Sequence, residues 1–346
     1  MTVQNYLLTR LETASIYSLT EEDKSWLDKN GLEDFIYHKL TSKRFRKWSL
    51  DLDSQKRIKD AIHSNISANK PIQFTFPFGG YKLWRVPTTP EVDWAEFFSI
   101  AYYANYLSPI LQIYKPGAAF YFSSDDIIIE RMDNIDLKDT NAYFGSFQKL
   151  LVSFNKYFPS NLKIEIKRVA DLYPDKEDFE KDLKTKLEEA KKIYEGIDDI
   201  TKRKKYIMSE LNINWEGAKD LTKWSKAKKR QMIEMGPIMH DAYCGVPRRR
   251  AFVRGEDKIV VFSTPIPNAV AIGTTKSSVA KFWTGIGVLA KFDGKYNEHI
   301  LSPQQIDKLK TVSCQLKKID LVPLKNFSVI SVYNQPLDFS QSFQAI

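Results

Sequence analysis

The sequence predicts an α/β protein: a Rossmann-like, doubly wound sheet with a helical N-terminal extension and a helical insertion before the C-terminal strands. Three observations carry this expectation. Ile72–Phe78 and Ala118–Ser123 are short apolar runs rich in aromatic and small residues, the pattern of strands buried on both faces. Between them lies a helix-length segment, the crossover that parallel strands need. Both runs end in polar turns, Gly79-Gly80 and Asp125-Asp126, and doubly wound folds bind ligands at the carboxyl ends of their strands.

The elements follow in order. Residues 1–70 read as a helical extension: Thr20-Glu-Glu-Asp has the form of a helix start, Leu32–Trp48 carries apolar residues at helical spacing, and Asp51–Asn65 continues in that style. An α/β catalytic domain is expected over 71–334. Within it, Glu91–Tyr114 reads as a long amphipathic helix whose first turn holds Glu91 and Asp93, where acids suit the helix dipole. Pro116-Gly117 breaks it. Ile127–Glu130 reads as a short third strand, Asp139–Tyr157 as a helix and Leu162–Val169 as a strand. Residues 175–243 hold two or three helices, with a break at Gly196, and form an insertion or lid. Strands are expected again at Arg250–Val253, Lys258–Ser263, Ala269–Thr274 and Phe327–Tyr333, then a tail over 335–346.

Composition narrows the functional classes. Hydrophobic residues make up 43% of the 346 and charged residues 27%, ordinary for a globular protein. No stretch has the ~18 apolar residues of a membrane span. The first residues lack a basic segment followed by an apolar run, so a cytoplasmic protein is expected. Two cysteines, Cys244 and Cys314, with no C-x-x-C spacing, argue against a disulfide framework or zinc site and suit a reducing compartment. The net charge of +9 collects between Lys163 and Arg254, notably at 202–205 and 223–230. It is read either as solvated helix faces, since acids alternate with lysines from Asp175 to Glu189, or as a surface for nucleic acid or another polyanion. A positive field also favours a phosphorylated small molecule.

Several groups have the makings of a site. Gly79-Gly80 permits close backbone approach to a ligand, and Lys82 and Arg85 add two cations just beyond, the combination an oxyanion needs. An ordinary turn with surface cations is the alternative. Asp93 and Glu96 share one helix face, as cap partners or as a catalytic acid. Asp125 and Asp126 follow a strand that must be buried; adjacent carboxylates there supply a general base, or else an Asx turn. Of four histidines, His38 and His63 read as structural and His299 as exposed beside a helix start. His240, with Asp241 beside it, is the catalytic candidate. No His pairing suggests a catalytic metal, and no G-x-S-x-G elbow suggests a serine nucleophile. Farther on, Arg250, Arg254 and Lys276 supply cations for a carboxylate or phosphate.

Four blocks, Phe76-Pro77-Phe78-Gly79-Gly80-Tyr81-Lys82, Pro90-Glu91-Val92-Asp93-Trp94-Ala95-Glu96, Tyr114-Lys115-Pro116-Gly117-Ala118 and Ser124-Asp125-Asp126, resemble the isocyanide synthase family in order and spacing. The family pattern is a strand ending in P-x-F-P-x-K-S, then P-D-x-x-E, Y-x-P-G-A and S-D-G. The chain departs from it in several places. Gly-Gly-Tyr-Lys stands for Pro-Lys-Ser, Asp126 for the glycine of S-D-G, and Arg254 and Pro267 fall where later family motifs carry histidine. The resemblance covers roughly residues 71–143. It implies an enzyme without metal or other cofactor that joins an L-amino acid to ribulose 5-phosphate and converts the amine to an isonitrile. Lys82, Arg85, Arg250, Arg254 and Lys276 would then bind the anionic groups, while Glu96, Asp125 and Asp126 move protons. On this reading Asp125→Asn abolishes turnover with little loss of stability. Another phosphosugar or nucleotide enzyme on the same scaffold is the remaining alternative.

Overall fold

The computed structural model describes the chain except residues 44, 46–48, 80–81, 83–85, 87–90, 134, 214–224, 264–267, 272–278 and 338–346. Its centre is a five-stranded parallel sheet of order β3-β2-β1-β4-β5, with β1 at Ile72–Phe78, β2 at Ala118–Ser124, β3 at Leu162–Arg168, β4 at Lys258–Phe262 and β5 at Ala269–Ala271. The order reverses direction at β1/β4, so the crevice at the topological switch point opens beside the carboxyl ends of β1 and β4. This is the α/β architecture the apolar runs predict.

Helices cover both faces. On one face lie α5 (Trp94–Ile113), α7 (Leu137–Asn155) and a 3-10 segment at Val279–Thr284. They meet Phe74, Phe76, Phe78, Phe120 and Phe122, through rings such as Tyr103, Phe147 and Phe282. The other face carries α4 (Leu52–Ser67) and α11 (Pro247–Arg254). There Thr75 donates to the Val253 carbonyl at 2.7 Å, and Tyr121 packs on Phe252. Strand alternation thus separates even-numbered from odd-numbered side chains of β1 and β2 onto different helices.

A second, four-stranded sheet has the order β7-β6-β9-β8, with β6 at Ile286–Phe292, β7 at Lys295–Leu301, β8 at Cys314–Lys318 and β9 at Val329–Tyr333; of these only β9 falls in an expected strand, Phe327–Tyr333. The presence of this sheet explains α5. This helix is buried along nearly its whole length, because Tyr103 touches the first sheet while Ala95 and Trp94 touch Gly287 of β6. A helix between two sheets is apolar all round rather than amphipathic as expected. The N-terminal helix α1 (Val3–Ile16) is tied to the second sheet by Arg10, whose Nε donates to Glu298 of β7 at 2.7 Å.

Other expectations are also corrected. Ile127–Glu130 lies in a helix, α6 (Asp126–Asp133), and Arg250–Val253 lies in α11, which Pro247 opens at its first position. The expected helix over Leu32–Trp48 is α3 (Leu32–Leu40), preceded by α2 (Glu21–Asn30) with Thr20 as its N-cap. Glu91 is outside α5, which starts one residue after Asp93. The 175–243 region holds α8 (Lys176–Gly196), α9 (Asp199–Ile213) and α10 (Lys226–Gly245). A short helix, α12 (Pro303–Lys308), follows β7; His299, expected to be exposed beside a helix start, lies within that strand and is half-buried. No helix among the described residues is long and apolar enough to cross a membrane.

Candidate active site

Two charged clusters form at the carboxyl edge of the parallel sheet, one on each face. The first is built by the N-terminus of α5. Asp93 caps that helix by accepting from the Ala95 amide at 2.7 Å, and Glu96 reaches back to the Asp93 amide at 2.9 Å. Lys82, four residues beyond β1, inserts its Nζ between the two acids, 2.6 Å from Glu96 Oε2 and 3.0 Å from Asp93 Oδ1. Tyr143 of α7 donates to Glu96 Oε1 at 2.9 Å. Asp93 Oδ1 also accepts from the Gly287 amide of the second sheet, and its Oδ2 is buried with no hydrogen-bond partner among the described residues.

This cluster is dry: Lys82 is 1% exposed and Glu96 0%. Burial pushes the Glu96 carboxyl up, Lys82 resists, and Asp93 adds to the rise. Burial likewise opposes the Lys82 charge, but Asp93 and Glu96 outweigh it and hold the ammonium above its ordinary range. One cation faces two carboxyls, so the group is electrically balanced when one of them keeps its proton. The Tyr143 hydroxyl is raised well above its ordinary value, first by burial and then by Glu96.

The second cluster is on the α11 face. The Asp125 amide donates to the Phe78 carbonyl at 2.9 Å, fixing the turn after β2 against the end of β1. Arg249 of α11 grips the Asp125 carboxylate with both arms, at 3.0 and 2.7 Å, and Tyr243 of α10 donates to the same carboxylate at 2.9 Å. The Arg249 guanidinium stacks on the Tyr243 ring at 4.7 Å. Burial opposes its charge, but Asp125 holds its pKa far above the usual arginine value.

Beside this pair, α10 presents His240, Asp241 and Cys244. His240 Nδ1 is 3.5 Å from Asp241 Oδ1, and Cys244 Sγ is 3.7 Å from His240 Nε2. Asp241 also accepts from Tyr194 of α8 and Lys205 of α9, each at 2.8 Å. Burial works against the Asp241 charge, yet His240, Lys205 and Tyr194 together keep it ionised well below the usual range. Burial also opposes the His240 charge, but Asp241 and Cys244 raise its pKa.

The geometry redistributes the expected roles. Lys82 is no open phosphate clamp: it is buried and satisfied by Asp93 and Glu96, which accept from it in place of a ligand. Nor does Lys82 face Asp125 across one crevice, because its partners belong to the α5 face and those of Asp125 to the α11 face. Arg250 is exposed, whereas Arg249, one residue earlier, turns inward. A strand would have put residues 248 and 250 on one face; the helix instead buries Arg249 with Val253. Arg254 is half-buried, with its pKa lowered by burial, and its carbonyl accepts from Arg57 at 2.6 Å. Asp126 begins α6, and its side chain lies outside the described residues, as do Arg85 and Lys276. Tyr143 and Tyr243 are residues of these clusters that the sequence did not single out, and Arg249 was one of three consecutive arginines, Arg248-Arg249-Arg250, with nothing in a strand reading to pick it out. Pro247, a helix-start signal, is the one cue that would have turned Arg249 inward. Lys205 and Arg230, from the two basic stretches, are engaged with Asp241 and Glu234. Among the described residues no group of His, Cys, Asp or Glu has the makings of a metal site.

No family model matches the chain, and no curated protein matches it. The crystal structure of the PvcA protein from Pseudomonas aeruginosa is similar to it, with a TM-score of 0.57 at 14% identity, over 88% of this chain and 99% of that one. The likeness is one of fold.

Proposed function

We propose that this chain is an isocyanide-synthase-like enzyme that condenses an L-amino acid with ribulose 5-phosphate and converts the amine to an isonitrile. The supporting observation is that Lys82, Asp93, Glu96 and Asp125, from three of the four blocks that resemble that family, lie at the carboxyl edge of a parallel sheet whose fold is shared with PvcA. Imine formation and fragmentation need positioned groups that move protons. Glu96, raised by burial beside Lys82 and Tyr143, and Asp125, oriented by Arg249 and Tyr243, are the proposed proton-transfer groups. Arg254, with Arg85 and Lys276, is proposed to hold the phosphate or carboxylate; Arg250 serves only at the rim.

The test is incubation of the full chain with ribulose 5-phosphate and each common L-amino acid, read by mass spectrometry. A product carrying an isonitrile carbon derived from the sugar is expected for one of them. Absence of product with every amino acid overturns the proposal.

A further inference from the structure

We propose that Cys244, paired with His240, is a nucleophilic thiolate and forms a covalent site for small soft carbon electrophiles on the α11 face of the sheet. This goes beyond the reaction proposed above, in which no thiol takes part.

The geometry assembles four conditions. First, Cys244 and His240 lie four residues apart on α10, so their side chains share one helix face, and Sγ is 3.7 Å from Nε2. Second, the imidazole is oriented by Asp241, which is itself held by Tyr194 and Lys205 from two other helices. Nucleophile, base and orienting carboxylate thus follow one another, the order that activates a thiol. Third, Arg249 and Arg254 of α11 lie within electrostatic reach of the sulfur and outweigh the Asp125 carboxylate, which is already committed to Arg249. Cys244 is in the last turn of α10, where the helix dipole disfavours an anion, so the stabilisation comes from the neighbouring side chains. Burial raises the thiol pKa, but His240 first, and Arg249 after it, outweigh burial and Asp125 and bring it down.

The fourth condition is access. Cys244 is partly exposed and the His240 side chain is half-exposed, so a small molecule reaches the pair from solvent. Ser123 marks where its polar end would go. Its hydroxyl is buried and has no hydrogen-bond partner among the described residues. Ser123 precedes Asp125 by two residues and shares the sheet face of Tyr121, which packs on α11. An unsatisfied buried hydroxyl at a strand's carboxyl edge calls for a partner.

In the covalent step the thiolate sulfur attacks the electrophilic carbon and one C–S bond forms. With iodoacetamide as probe, iodide leaves with the bonding electron pair, and the imidazolium proton goes to solvent.

The experiment measures alkylation of the folded full chain by iodoacetamide between pH 5.5 and 9, with Cys244 and the exposed Cys314 quantified separately by peptide mass spectrometry. At pH 6.5 Cys244 is expected to react at least tenfold faster than Cys314. Its rate should rise through an inflection below the ordinary thiol value of about 8.5. His240→Gln should raise that inflection and abolish the advantage. The proposal is overturned if Cys244 reacts no faster than Cys314, if its inflection sits at the ordinary value, or if His240→Gln changes neither. None of these outcomes bears on isonitrile formation, so the two proposals fail separately.

Discussion

Replacing Lys82 by methionine would leave the Asp93 and Glu96 carboxyls facing each other with no cation between them. Lys82 contacts both, at 3.0 and 2.6 Å, and all three side chains are at most 4% exposed. Removing one partner from a buried ion pair costs roughly 3–5 kcal/mol, because the remaining charge has neither water nor a counterion. Unfolding entropy near 2.1 cal/mol/K per residue gives about 0.7 kcal/mol/K for 346 residues, so Lys82→Met should lower the melting temperature by roughly 4–7 °C. Urea titration at pH 8 would measure the cost directly. At pH 5 it should shrink, because Glu96 then holds its proton and less unbalanced charge remains. The sign follows from Glu96, whose folded pKa is pushed up to about 7 by burial. A raised carboxyl pKa gives stability that is present below the unfolded value, about 4.3, and is lost as pH rises through the folded one. Across that window the wild type should therefore lose stability relative to Glu96→Gln. In the Glu96→Gln background the Lys82→Met cost should fall by at least about 1 kcal/mol, the coupling expected of groups in contact. A cost independent of both pH and Glu96 would refute the electrostatic account of this cluster.

Asp125→Asn should abolish turnover and also destabilise the fold by about 3–5 kcal/mol, since it strips the buried Arg249 of its counter-charge. This replaces the expectation of little stability loss, and a melting temperature matching wild type would contradict it. Gly287→Ala should cost about 1–3 kcal/mol or more by thermal unfolding, because the added Cβ would lie 2.3 Å from the Ala95 amide nitrogen and the Trp94 carbonyl carbon. An unchanged melting temperature would mean that the second sheet does not press on α5.

What was legible in the sequence was local. Ile72–Phe78 and Ala118–Ser123 announce buried parallel strands because both faces must be apolar, and Pro116-Gly117 announces the turn between α5 and β2. The Asp93-x-x-Glu96 spacing holds the capping box that starts α5, yet the helix was expected from Glu91, so that boundary was readable but was not read. The Asp293-Gly294 turn between β6 and β7, with φ of 48° and 72°, was also readable as a hairpin, yet the strands beside it passed unnoticed. The strand Cys314–Lys318 gave less to read, since all five of its residues are exposed and it follows no buried pattern.

The tertiary structure decided which charges meet. Sequence order puts Lys82 and Asp125 just after neighbouring strands, but side-chain direction at a strand end and the helix that covers each face choose their partners. Lys82 therefore closes on the acids of α5, while Asp125 closes on Arg249 and Tyr243. Composition and spacing determined the sheet, its crossover and the polar character of its carboxyl edge, since burial and backbone hydrogen bonding act along the chain. The pairing of buried charges depends on packing between segments, some of them more than a hundred residues apart, such as Asp125 and Arg249, and that proximity exists only in the folded molecule.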